Sequence, residues 1–343
     1  MSATMELKQP LTAAGIDPSL CRIWTALGSD LRQLDPFACT PAWQLPFAET
    51  FTPANPLLVE TDGENLVAFA EFNDHPSIPA LLPVESMWFS GCPLLGPNAV
   101  SFLLEFLGAY ERAHDGTTPR VVISGLHHGG IVEEDMWIRL RHKYQFRACP
   151  PYKQRAASLR GGYDGYLSRR SPNLRSKLKK SQRLARERGI SFERHIPQTP
   201  AEANALYARM IDVEKRSWKG LENCGMTEHP SCEFYQRMIC RLASGSAGAR
   251  VIFAVCDGRD IGFVFGGMAG AVYRGQQFSY DNEWRRFSIG NLLQAEQVRW
   301  LCEEGAVRYD MGMSADPRMA YKQHWAEQSL DFLTLLLEPL PDA

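Results

Sequence analysis

The sequence predicts a mixed α/β (α+β) chain built as two similarly ordered halves, and two observations carry that expectation. An Asp-Gly pair between two alternating apolar runs occurs twice, at Asp62-Gly63 and Asp257-Gly258, and such a pair is a strong hairpin signal. Each hairpin is followed in the same order by a strand, a helix and another strand. Setting one Asp-Gly on the other brings the helices near 99 and 290, and the strands near 120 and 307, into register within a few residues, so the repeat is one of element order. With 343 residues, 45% hydrophobic and 22% charged, the chain has room for two domains of ordinary size with cores of their own. Halves of 1–160 and 161–343 are expected, the linking region lying near 155–190.

The elements follow in order. Residues 18–34 and 41–51 have apolar positions at helical spacing, with Leu20, Ile23, Leu27, Leu31 and Leu34 in the first. Leu57 to Phe72 reads as the first hairpin, and a third strand is expected around Ser86 to Cys92. A helix over 99–113, a strand from Arg120 to Leu126, a helix over 131–143 and one or two strands between Phe146 and Leu159 complete the first half. After the linker come a helix over 231–243, the second hairpin between Arg250 and Met268, and a strand from Tyr273 to Tyr280. A helix over 290–304, a strand from Val307 to Met313, a short helix and a last strand from Leu330 to Leu337 close the chain.

Two further helices are well signalled. Ser171-Pro172 opens one and Gly189 closes it. Between them Arg175, Lys177, Lys179, Lys180, Arg183, Arg186 and Arg188 face a single acid, Glu187, while Leu174, Leu178, Ser181 and Ala185 form an apolar stripe. This basic helix, 172–188, reads either as a solvated face or as an electrostatic guide for phosphates. Thr199-Pro200-Ala201-Glu202 is a capping box for the next helix, whose buried side should carry Leu206, Met210 and Val213.

Composition excludes several classes. A net charge of -2 gives no argument for nucleic acid or an anionic membrane as an obligatory partner. The nine cysteines are odd in number and scattered without a C-x-x-C pair, so reduced thiols are expected and a zinc site is not. The adjacent His127 and His128 point in different directions on any backbone, and no metal is expected there. No G-x-S-x-G elbow suggests a serine hydrolase. The amino terminus lacks the basic start and apolar run of a signal peptide, no run approaches a membrane span, and a cytoplasmic location is expected.

The stretch from Tyr273 to Trp325 organises the functional reading. A strand leads through a charged turn into Arg285-Arg286-Phe287-Ser288-Ile289-Gly290-Asn291 and a helix. Small residues where a helix begins leave its unpaired N–H groups open to a phosphate. This order resembles the second half of a GNAT acetyltransferase core, where a loop of pattern Q/R-x-x-G-x-G/A holds the pyrophosphate of acyl-coenzyme A. Arg285, Ser288 and Gly290 match it, Ser288 standing for the first glycine. Further residues sharpen the likeness: Tyr166-Leu167, Asn173 to Lys180, Arg216-Ser217-Trp218-Lys219-Gly220, Phe234-Tyr235, Tyr280-Asp281, Ser288 to Leu293, Tyr309-Asp310 and Tyr321-Lys322-Gln323-His324-Trp325. With these the chain resembles the BioF2-like or CelD-like acetyltransferases of the GNAT superfamily, which are related to the FemAB aminoacyltransferases. The likeness is strongest from about 155 to 326.

That resemblance implies tandem, duplicated GNAT-like domains with mixed central sheets, and an enzyme moving an acyl group from acyl-coenzyme A to an amine without a metal. Arg285, Arg286, Ser288, Ile289, Gly290 and Asn291 would hold the coenzyme. Asp281 is the first candidate base, followed by Asp310 and Glu214; Tyr321 or Tyr309 would protonate the departing thiolate. Trp218, Tyr280, Lys322 and His324 would contact substrate, the acceptor lying between the halves. The first half, with Gly91-Cys92-Pro93-Leu94-Leu95-Gly96-Pro97 at the matching place, has no arginine there and a proline without an N–H, so it is expected to be degenerate for the coenzyme. Two other readings remain open: aminoacyl-tRNA-dependent transfer to a peptide or cell-wall precursor, and a non-catalytic polyanion binder acting through helix 172–188.

Overall fold

A computed structural model describes residues 5–73, 79–244, 248–313 and 317–341. The chain folds into two compact units, Met1–Lys153 with Asp331–Ala343, and Gln154–Leu330.

The first unit begins with α1 (Pro18–Gly28) and α2 (Pro41–Phe51), then β1 (Leu57–Thr61), β2 (Leu66–Phe72), β3 (Ala80–Pro83), β4 (Leu94–Leu95), α3 (Ala99–Ala113), β5 (Arg120–His127), α4 (Ile131–Leu140) and β6 (Tyr144–Ala148). α1 stops at Gly28 and does not continue to 34. A Cβ at Gly28 would lie 2.6 Å from the Cys39 carbonyl, to which Trp24 donates its indole N–H, so the chain turns where that contact fixes it. The strand expected at 86–92 is instead a turn. The buried Glu85 carboxylate accepts N–H bonds from Met87, Trp88 and Ser90, and these three donors are thereby lost to any ladder.

The second unit contains β7 (Tyr152–Ser158), α5 (Gly162–Ser168), α6 (Pro172–Arg188), β8 (Ser191–His195), α7 (Pro200–Lys215), α8 (Trp218–Leu221), α9 (Ser231–Ser244), β9 (Ala249–Cys256), β10 (Arg259–Ala269), β11 (Val272–Tyr280), α10 (Ile289–Glu303), β12 (Arg308–Met313) and α11 (Lys322–Trp325), after which β13 (Gln328–Pro339) returns to the first unit. β9 and β10 are joined by Asp257-Gly258, both with φ > 0, the conformation of a tight two-residue hairpin. α6 is capped by Ser171, which accepts from the Leu174 N–H, and ends at Gly189 with φ 76°. Its buried positions are Leu174, Leu178, Ser181 and Ala185, the stripe expected from the sequence.

Both units repeat one plan. In each, an antiparallel hairpin (β1–β2; β9–β10) continues into an antiparallel third strand (β3; β11), and a helix (α3; α10) crosses to a parallel fourth (β5; β12). A fifth strand then pairs antiparallel with the fourth. For β12 that strand is β7, and for β5 it is β13. The division by contacts therefore differs from one made at residue 160: β7 precedes that point and supplies the fifth strand of the second unit's plan, and β13, near the end of the chain, supplies that of the first. In the first unit Leu66, Phe69, Leu103, Phe106, Val121, Ile123 and Leu337 share one core. In the second, Tyr166, Leu174, Tyr273, Val298, Tyr309 and Trp325 share another.

Candidate active site

The site arises where two parallel strands part. β11 and β12 are in register only at Val272↔Arg308, Tyr273↔Tyr309 and Arg274↔Asp310. Immediately beyond, each strand carries one extra residue. Against β10, Phe265 opposes Gln277 and Gly266 opposes Gly275, which leaves Gln276 as the bulge; against β7, Asp310 opposes Ala156 and Gly312 opposes Arg155, which leaves Met311. Bulges bend and overtwist a strand, and with one on each the pair separates. A cavity of about 590 Å³ opens in the gap, with Gln276, Gln277 and Phe278 on one side and Met311 on the other. From Gly275 onwards β11 keeps its ladder to β10 and has no paired residue on β12; the Gly275 and Phe278 carbonyls are instead taken by the Arg274 and Lys219 side chains. Gln276 Nε2 is buried and has no hydrogen-bond partner among the described residues.

One end of the cavity is the start of α10. Arg285, Ser288, Gly290 and Asn291 line it, with Lys177 of α6. Ser288 has φ 56° and caps α10 without a side-chain hydrogen bond; its own N–H is bonded to the Arg285 carbonyl and that of Asn291 to the Ser288 carbonyl, so the donors left at the first turn are those of Ile289 and Gly290. At Gly290 a Cβ would stand 3.1 Å from Phe278 and 3.2 Å from Tyr280, and any side chain there narrows the approach. Arg286 and Ile289 are placed elsewhere: the Arg286 guanidinium lies 4.9 Å from the Phe287 ring centre, and Ile289 is fully buried in the core against α10's own Leu292 and Leu293.

More of the lining comes from α8, α11 and residues 318–321. Trp218, Lys219, Tyr321 and Lys322 line the cavity together with Tyr280 and Arg318. Lys219 donates to Gln277 Oε1 at 2.7 Å and to the Phe278 carbonyl at 3.1 Å, and Gln277 in turn donates to the Tyr235 hydroxyl at 2.7 Å. Burial pushes the Lys219 ammonium below its usual range. Lys322 donates to the Met313 carbonyl at 2.6 Å; burial first, then the positive charges of Arg274 and Lys219, push it down to about 7. Tyr321 packs edge-on against Phe278, ring centres 5.3 Å apart, and burial pushes its hydroxyl well above the ordinary phenol range. Tyr309, also in the wall, donates to Gln294 Oε1 at 2.7 Å.

The three carboxylates expected as bases do not line this cavity. Asp281 is 2% exposed, and its Oδ2 is held by Arg216 Nε at 2.9 Å and by Arg259 Nη2 at 2.8 Å. It braces the end of α7 against β10. Asp310 is buried on β12 and paired with Arg308. Glu214 is buried on α7, accepts from the Met226 N–H at 3.2 Å and lies 3.9 Å from Lys219 Nζ. His324 is exposed and outside the lining. The one carboxylate among the lining residues is Glu222, 3.7 Å from Arg318. Sequence reasoning missed Glu222, because an acid in a Gly-Leu-Glu-Asn run looks like any solvated turn. It passed over Lys219 and the Gln276-Gln277 pair as site residues, although both stood in stretches already singled out.

Comparison with known proteins bears on the fold. Residues 172–323 match the family model described as an acetyltransferase (GNAT) domain. No curated protein matches the chain in sequence. Among solved structures, a conserved protein of unknown function from Bacteroides thetaiotaomicron VPI-5482 is 12% identical with a TM-score of 0.63, covering 96% of this chain and 99% of that one. FemX is 12% identical with a TM-score of 0.61, over 96% and 97%. L-PGS from Bacillus licheniformis is 14% identical with a TM-score of 0.54, over 86% and 87%. At such identities the likeness is one of fold. Residues 172–323 thus match an acetyltransferase (GNAT) domain, and with the same strand plan repeated in both units the fold is one of duplicated GNAT-like domains with mixed central sheets.

Proposed function

We propose that the chain is an N-acyltransferase that carries an acyl group from acyl-coenzyme A to an amine. The observation that supports this best is the parting of β11 and β12 beside the open start of α10. A long, narrow donor with phosphates at one end fits there. The phosphates would meet the N–H groups of Ile289 and Gly290 with Arg285 and Lys177, and an extended chain would replace β12 as the hydrogen-bonding partner of β11. The thioester supplies an activated acyl carbon. The protein's part is to hold its carbonyl oxygen at the exposed N–H groups of β11 near the Gln276 bulge and to keep bulk water out with Trp218, Phe278 and Tyr321.

When the amine nitrogen forms its bond to the acyl carbon, it must lose a proton and the thiolate must gain one. Glu222 is the carboxylate that reaches the cavity and would take the proton directly or through water. Tyr321, kept protonated by burial, would supply the other. The first unit gives no comparable opening in this reading. There the Asn98 N–H, just before α3, is already bonded to Asn65 Oδ1 at 2.7 Å, and Gly96 is packed on the Asn65 backbone.

Titration calorimetry with coenzyme A tests the reading. Arg285→Ala removes one charge-assisted contact and should weaken binding roughly tenfold; Gly290→Val should weaken it more, by filling the approach to the helix start. Equal binding by the parent and both variants, or by none of the three, defeats the proposal. A second reading, transfer from an aminoacyl-tRNA, is favoured by one feature: Arg175, Lys179 and Lys180 on α6 are exposed and make no ion pair among the described residues. Salt-sensitive tRNA binding without coenzyme A binding would select it.

A further inference from the structure

The charges in the cavity do not balance. Lys177, Lys219, Arg285, Arg318 and Lys322 line it against Glu222 alone. Arg318 is paired with Glu222, and Lys177 with Arg285 stands at the α10 end, where donor phosphates are proposed. Lys219 and Lys322 remain. Their side chains are not surface ammoniums that happen to touch a groove: the Lys219 side chain is 13% exposed and Lys322 is 8% exposed.

Burying a charge is costly unless an opposite charge accompanies it. For Lys219 the companion is Glu214 at 3.9 Å, beyond hydrogen-bond length. For Lys322, the one bond is to the neutral Met313 carbonyl, and no carboxylate of the described residues lies within ion-pairing distance. The fold therefore holds two largely buried ammonium groups at one cavity, with Glu214 beside Lys219 and no carboxylate of the described residues paired with Lys322. Such an arrangement opposes folding, and proteins retain it where a ligand supplies the missing charge.

Resting on the acyltransferase reading above, we propose that Lys219 and Lys322 form an anion subsite, and that one of the two reactants carries a carboxylate bound there. One protein carboxylate against two ammoniums leaves room for a single negative charge, which suits a monoanion. The bond pattern agrees. Lys219 spends two contacts on Gln277 and Phe278, which fix its position, and an ammonium has three donors. Lys322 spends one. Each thus has hydrogen left to give, on the side where the acyl group and the amine must meet. That places the carboxylate a few bonds from the reacting centre, on the acyl chain or on the amine.

Two arms distinguish these sources, both read by titration calorimetry on the full chain. In the first, succinyl-coenzyme A is compared with butyryl-coenzyme A, which has a methyl where the other has the carboxylate. In the second, with acetyl-coenzyme A bound, the proteinogenic amino acids are compared with their amides. The carboxylate member should bind at least about tenfold tighter in one arm. That preference should be lost in both Lys219→Gln and Lys322→Gln, which keep a donor and remove the charge, and retained in Lys322→Arg. Thermal melts accompany each variant; Lys322→Gln should melt at or above the parent, since a buried charge has gone. Matched pairs that bind alike in both arms, or a preference that survives both glutamine variants, overturn the subsite while leaving the acyltransferase reading in place. Failure of every coenzyme A thioester to bind overturns that reading and the subsite together.

Discussion

Lys322 shows what a single side chain can reveal about a pocket. In the unfolded chain its ammonium keeps the ordinary value near 10.5, and in the folded protein it is pushed down to about 7. Between those values the unfolded chain holds a proton that the folded one has released, so stability rises with pH across that window by this group's contribution. Below about pH 7 both forms are charged and the full penalty of burying the ammonium applies. Lys322→Gln should therefore raise the melting temperature most at about pH 6, and the gap should narrow towards about pH 9. A constant gap in parallel melts would show that the charge is relieved some other way. Asp281 and Glu222 form a second contrast. Asp281→Asn breaks a brace to two arginines and should cost about 1–3 kcal/mol of stability, with Arg216 and Arg259 partly solvated, while the coenzyme's affinity stays within about twofold. Glu222→Gln should leave stability alone and lower kcat roughly a hundredfold. The sequence could not tell these acids apart, because pairing partners 22 and 65 residues away decide which carboxylate is engaged.

At the scale of elements, α6 joins a legible helix to a less legible role. Its cap, its end and its apolar stripe all stand in the sequence, since each depends on residues within one or two turns. The distribution of its charges over function does not, because it depends on what the helix packs against. Lys177 alone of its basic residues lines the cavity. Lys177→Ala should weaken coenzyme A binding several-fold, with the effect largest at low salt, whereas Lys179→Ala with Lys180→Ala should change it little and stability by no more than about 0.5 kcal/mol. Calorimetry at two salt concentrations separates the two. β11, from its run of aromatics and glutamines, and β12 are legible as strands, but their bulges are not. A bulge is set by which residue of one strand meets which of the next, and Gln276 and Met311 carry no local mark of it. The turn at 86–92 was missed for a like reason: the apolar run suits a strand, and the buried Glu85 that captures its N–H groups lies just outside it.

For the whole molecule, the repeat of two plans was visible because hairpin turns and helix spacing recur at matching places. The exchange of closing strands was not, since a fifth strand carries no label saying which fourth strand it joins. β13 contributes Leu333, Leu335 and Leu337 to the first unit's core and pairs with β5 from Phe332 to Leu337. Leu335→Ala should therefore destabilise the first unit, by about 2–5 kcal/mol. Hydrogen exchange should record the loss in β5 and β2 before it appears in β10 and β11.

This exchange also bears on synthesis. The ribosome releases β1 to β5 long before it has made the strand that β5 needs, and the intervening 177 residues of the second unit, Gln154–Leu330, must emerge first. Throughout that interval Val121, Ile123 and Leu126 stand on an uncovered strand edge, the kind of edge that recruits other chains. The second unit, whose own closing strand β7 is made before it, has no such wait. Folding of this protein is thus completed in the reverse of the order in which its halves are written, and the nascent first half is the part a chaperone would have to guard.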